Sequence, residues 1–122
     1  MKRKHHDLEV WRESMDVVTD CYRLSADFPG AERYGLSSQI RRAAVSTPAN
    51  IAEGAARQTT KEFIQFLYIA RASLVELETP IEIARRLSFC GADTDLDERL
   101  DRLFAKLNKL LSSLKNRLKV PA

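Results

Sequence analysis

Apolar residues recur at steps of three and four along nearly the whole chain, and three breaks interrupt them, which predicts four amphipathic helices. The first is expected over about residues 7–28, with Asp7 as N-cap and Leu8, Trp11, Met15, Val18, Tyr22 and Leu24 near one face, until Pro29-Gly30 stops it. The second, about residues 36–57, carries Leu36, Ile40, Ala43, Ala44, Thr47, Ile51 and Ala55, with Ser37 able to cap it. Its apolar residues are mostly small, which lets a neighbouring helix approach closely. Thr59 and Glu62 form a capping box for a third helix over about 59–90, bearing Phe63, Phe66, Leu67, Ala70, Leu74, Leu77, Ile81 and Ala84 and closed by Gly91. The fourth, about 95–118, carries Leu96, Leu100, Leu103, Leu107, Leu110, Leu114 and Leu118 at nearly heptad spacing. Four such stripes joined by short connections predict an all-α, antiparallel up-down-up-down four-helix bundle.

A chain of 122 residues makes about one domain, here assigned to residues 1–122. Four glycines and four prolines are too few breakers for a protein of many short strands. No apolar run approaches the roughly 20 residues of a membrane span, and the basic start MKRKHHDLEVW has no apolar region behind it. A cytoplasmic, soluble protein is therefore expected. Cys21 and Cys90 have no metal-like spacing and read as buried thiols in a reducing compartment rather than a disulfide.

The second helix also carries an ordered polar stripe. Gln39, Arg42, Ser46, Asn50, Glu53 and Arg57 follow at steps of three, four, four, three and four, beside the apolar stripe. Asn50 can donate and accept, and Glu53 can take two donors from an arginine, so the stripe suits a polar seam between helices or subunits. Pro48 removes a backbone donor and biases Thr47 away from helical geometry, so a kink or an interruption is expected there. The bland reading is that the stripe ties helices together; a recognition site is the sharper one. A metal or catalytic centre has little behind it: a lone carboxylate without histidine partners is a poor ligand set, and His5 and His6 sit together near a terminus expected to be mobile. Triads, phosphate-cradling glycine loops and acidic pairs with a general-base partner are missing from the sequence, so no catalytic residue, cofactor or metal is assigned and the chain is read as no enzyme.

Charge is distributed unevenly behind a formal net charge of +3. From Arg99 to Lys119 there are seven basic residues and the single acid Asp101, whereas acids gather at Glu76, Glu78, Glu82 and from Asp93 to Glu98. On the fourth helix Arg99, Arg102, Lys106, Lys109 and Arg117 share a sector beside the leucines. This cationic ridge is either a solvated face or a surface that follows a phosphate backbone; with no interleaved aromatics, such binding would be salt-sensitive and weakly sequence-specific.

The run FPGAERYGLSSQIRRAAVSTPANIAEGAARQTTKEFIQFLYIARASLVELET, with DLEVWRE before it, closely resembles the bacterial four-helix-bundle family named for proteins encoded in intervening sequences of 23S rRNA genes. The resemblance extends from about Leu8 to about Leu87, and its specific phrases are LEVW, QIRRAA and NIAEG. Many relatives read serine-isoleucine before the last phrase, where this chain has Ser46-Thr47-Pro48. The resemblance implies bundles assembled into homopentameric rings, in which the polar stripe would set register between helices or subunits. It also implies, from relatives in diversity-generating retroelements, binding of RNA or DNA and of a reverse transcriptase through a positive surface. Two functions are carried forward: nucleic-acid or nucleoprotein binding through the ridge, and a self-assembling scaffold for another protein.

Overall fold

Where the three- and four-residue steps run longest the chain is helical, and the computed structural model, which describes residues 2–119, has four α-helices and no strand among those residues: α1 Glu9–Ser25, α2 Leu36–Ala55, α3 Thr60–Arg86 and α4 Thr94–Lys119. Residues 1 and 120–122 of the assigned single domain lie outside the described residues. Each helix packs on its sequence neighbours, α4 returns to α1, and the most extensive contact is α2 on α3. The architecture is the expected four-helix bundle. No helix among the described residues is long and apolar enough to cross a membrane.

The helix ends show which local signals were real. Thr59 caps α3, its Oγ1 accepting from the Glu62 N–H at 3.2 Å, although the Glu62 carboxylate takes the Thr59 hydroxyl rather than its backbone N–H. Asp7 does not cap α1; it ends a short 3-10 turn, Lys4–Asp7, and Leu8 stands at the cap position. Ser37 is buried within the first turn of α2, where the Glu32 carboxylate instead accepts from the Leu36 N–H. Asp93 does the same for Leu96 in α4. Gly91 does not end α3. Ser88 takes the left-handed conformation at φ 62°, and the bonds Phe89 N–H to Ala84 O and Ser88 N–H to Arg85 O form a Schellman closure. Phe89 then packs on Phe28 with ring centroids 5.9 Å apart.

The expected face holds for α2 and for α3 from Leu67 onward, whereas before Leu67 Phe63 and Phe66 are only half-buried and Ile64 is buried instead; it shifts on the other two helices. On α1 the core face is Val10, Ser14, Val17, Cys21 and Ser25, while Met15 and Tyr22 are 41% and 43% exposed. Two serines serve as core residues because each returns its hydroxyl to its own helix, Ser14 to Trp11 O and Ser25 to Cys21 O, leaving no donor unsatisfied. Tyr22 lies instead under the Arg41 guanidinium, 4.6 Å from its ring centre. On α4 the buried set is Leu96, Leu100, Leu103, Leu107, Leu111 and Leu114, so Leu111 replaces Leu110 and Leu118 is exposed. A strict heptad drifts off one face of a straight helix, and the step from Leu107 to Leu111 restores the 3.6-residue period.

α2 runs through Pro48 without interruption, and Pro48 and Thr47 are both buried. The Thr47 hydroxyl donates to Ala43 O at 3.2 Å. Against α3, Gly54 is a position of close approach: a Cβ there would stand 2.7 Å from Phe66 Cβ and 2.9 Å from a Phe63 ring carbon. Both cysteines are free thiols, but only Cys21 is buried as expected, Cys90 being half-buried; burial pushes Cys21 up to about 12.

These placements predict that Leu111→Ala costs about 3 kcal/mol in chemical denaturation and Leu110→Ala about 1 kcal/mol or less. Ser88→Gly should gain about 1 kcal/mol by relieving the left-handed residue, and an unchanged midpoint would contradict the closure described.

Candidate nucleic-acid interface

The cationic ridge faces α1, and α1 supplies the acids that α4 lacks. Arg99 bonds Asp20 at 2.8 Å, Arg102 stands 3.7 Å from Glu13, and Lys106 donates to Glu13 at 2.8 Å and to Glu9. Acids on the neighbouring helix do not show in the spacing of α4, which is why the ridge looks uncompensated in sequence. Hydrogen bonds from Lys106 to Glu13 and Glu9 hold its ammonium above the usual lysine range, and the same ammonium pulls Glu9 below the usual carboxylate range.

The other two ridge residues differ. Lys109 and Arg117 are exposed, and neither enters an ion pair among the described residues. They lie where α4 has passed its acids: Asp95, Asp97, Glu98 and Asp101 occupy its first third, while residues 105–119 hold Lys106, Lys109, Lys115, Arg117 and Lys119 and no carboxylate. That order also suits the helix dipole. Antiparallel packing brings the start of α1, the end of α2, the start of α3 and the end of α4 to the same end of the bundle. Exposed Lys4, Arg12, Arg57 and Lys61 therefore join the end of α4 there. Lys115 donates to the Tyr68 hydroxyl at 2.8 Å, which lowers the phenol's pKa. Bundle topology thus sorts charge along the long axis, with a basic end that sequence spacing alone could not assemble.

The polar stripe of α2 lies along the junction with α3. Ser46 and Asn50 are half-buried, while Gln39, Arg42, Glu53 and Arg57 are exposed. Ser46 Oγ meets Ser73 Oγ at 2.8 Å across the helices, and Asn50 Nδ2 donates to Ser46 O and Oγ. Glu53 and Arg57 pair at 2.7 Å, with the Arg57 guanidinium over Phe66. Gln39, Arg42 and Ser46 line an open groove with Glu76, Thr79 and Pro80 of α3. The stripe therefore ties helices at Ser46 and leaves its two ends on the surface. No cluster of metal-ligating side chains occurs among the described residues.

A sequence profile for a family described as "23S rRNA-intervening sequence protein" matches residues 6–113. Among solved structures, the chain is similar to a protein of unknown function from the S23 ribosomal protein family of Bacteroides thetaiotaomicron VPI-5482, at 26% identity and a TM-score of 0.64. That match covers 86% of this chain and 96% of the other. No curated protein matches.

Replacing Lys106 with Met should lower the thermal midpoint at low salt, with the loss shrinking as salt screens the pairs. Because Glu9 is held low, its contribution is present above the unfolded carboxylate pKa and fades as pH falls through the folded value; Lys106, held high, contributes below the unfolded lysine value and loses it as pH rises through the folded one. A wild-type midpoint in the variant at low salt and neutral pH would contradict the α1–α4 pairing.

Proposed function

Starting from a chain that belongs to the 23S rRNA-intervening sequence protein family, we propose that it is a non-enzymatic protein that binds nucleic acid, RNA first, through the basic end of the bundle. The observation that carries this is the division of the ridge: Arg99, Arg102 and Lys106 are engaged by α1 carboxylates, while Lys109 and Arg117 stand free among other exposed cations. A phosphate backbone gains most from cations that need not first give up a protein carboxylate. With side chains from three further helices nearby, the end offers a broad positive surface without a base-reading element, so binding should be salt-steep and tolerant of sequence. In a homopentameric ring the same end would repeat around the axis. For a gene carried in a diversity-generating retroelement, the reverse transcriptase would be the protein partner.

A second reading, a self-assembling scaffold that binds another protein, draws on the outer face of α2 and α3. Ile69 and Ile83 of α3 are 48% and 41% exposed, and the polar groove of Arg42, Ser46 and Glu76 lies on the same two helices.

Fluorescence anisotropy with a single-stranded RNA across a salt series distinguishes the two halves of the ridge. Lys109→Glu with Arg117→Glu should weaken binding at least tenfold and flatten the log–log salt slope by about 1.5. Arg99→Glu with Arg102→Glu should cost less binding and more stability. The reverse ranking, or no binding by the folded wild type, would overturn the proposal.

A further inference from the structure

The first residues do not trail from the bundle as the sequence reading expected. They form the 3-10 turn Lys4–Asp7, which lies across the C-terminal half of α2: Lys2, Arg3, Lys4 and His5 border a groove whose other wall is Ala49, Ala52, Glu53 and Ala56. The His5, His6 and Trp11 rings form one cluster, with centroids 4.2 Å apart between the imidazoles and 4.9 and 5.2 Å from each to the indole. His6 Nδ1 accepts the Arg3 N–H at 2.8 Å, and His6 O accepts from Arg12 Nη1 at 2.9 Å. These contacts fasten the turn to the start of α1.

We propose that this N-terminal turn is a pH-sensitive strap, docked on α2 while the imidazoles are neutral and released when they protonate. The geometry supplies the reason twice over. Nδ1 of His6 can accept the Arg3 N–H only when it carries no proton; protonation puts donor against donor. Two imidazolium rings at 4.2 Å would also repel. The charges facing the pair are mostly of the wrong sign to relieve this. On the strap itself stand Lys2, Arg3 and Lys4 against Asp7, which is already paired with Lys2 at 2.7 Å; α1 presents Arg12, and α2 presents the single carboxylate Glu53, which is paired with Arg57. The same surroundings act on His5, whose pKa is lowered first by lost hydration and then by His6 and Arg3. A lowered folded value means that His5 favours the docked strap above the unfolded imidazole pKa, about 6.5, and that this support is lost as pH falls through the folded value. The inference shares Lys4 and Arg12 with the basic end but does not depend on nucleic-acid binding, since it rests on contacts within the chain.

Backbone order parameters from 15N relaxation test it on the intact chain at pH 8 and pH 5. Residues 3–7 should fall from about 0.85 to below about 0.6 on acidification, while the four helices keep their values. His6→Asn, whose side-chain oxygen accepts without titrating, should keep the strap ordered at pH 5. An equally ordered wild-type strap at both pH values would overturn the proposal, as would loss of order spread over all four helices, or a variant ordered at pH 8 that loosens at pH 5 as wild type does. Should His6→Asn already be loose at pH 8, the two wild-type measurements decide. Trp11, the one tryptophan, gives a second readout: its emission should change with a midpoint in the imidazole range while the far-ultraviolet dichroism stays flat.

Discussion

The approach of α2 to α3 is the constraint on which the remaining geometry rests. At Gly54 no side chain can intervene before the phenylalanines of α3, and Ala43, Ala44 and Thr47 are buried along the same helix. Small residues gain less from burial than leucine does, so this contact depends on fit rather than on bulk. Once α2 and α3 lie that close, the Ser46–Ser73 bond becomes possible, and the stripe from Gln39 to Arg57 must run along the outer edge of the junction. α1 and α4 then close the bundle over leucines, with ion pairs along their shared edge.

Charge follows from that closure. Glu9, Glu13 and Asp20 on α1 meet Lys106, Arg102 and Arg99 on α4, matched in order because the helices run antiparallel. Exposed pairs of this kind contribute little each and are weak stability arguments. Their importance lies in occupancy: they remove the upper cations from competition for an external anion and leave the lower ones available. The same pairs thus divide the ridge of α4.

The helix count and the core of α2 and α3 were legible in the sequence, because apolar spacing records burial directly wherever a helix has a single broad core face. Legibility failed where neighbours decide. Ser14 and Ser25 read as polar yet sit in the core, since each hydroxyl is satisfied within its own helix. Leu110 and Leu111 both fit an apolar stripe, and it is Leu111 that the packing of α4 buries. Ser88 carries no sign of its left-handed role, which a glycine would have advertised. For the candidate site, spacing identified the ridge but could not see the acids of α1, nor the cations that three other helices bring to the end of α4. The histidine pair lies near the terminus, where sequence suggests mobility, yet Trp11, close by in sequence, is the aromatic surface on which it packs.

In the proposed reading, bundle topology, rather than the ridge of one helix, builds the surface for nucleic acid. Amide chemical-shift mapping of the 15N-labelled chain during titration with a single-stranded RNA at low salt tests it most directly. The account predicts perturbations at Arg12, Lys61 and residues 109–119, with residues 99–106 unmoved. Perturbations centred on Arg99 and Arg102, or none at all, would contradict it.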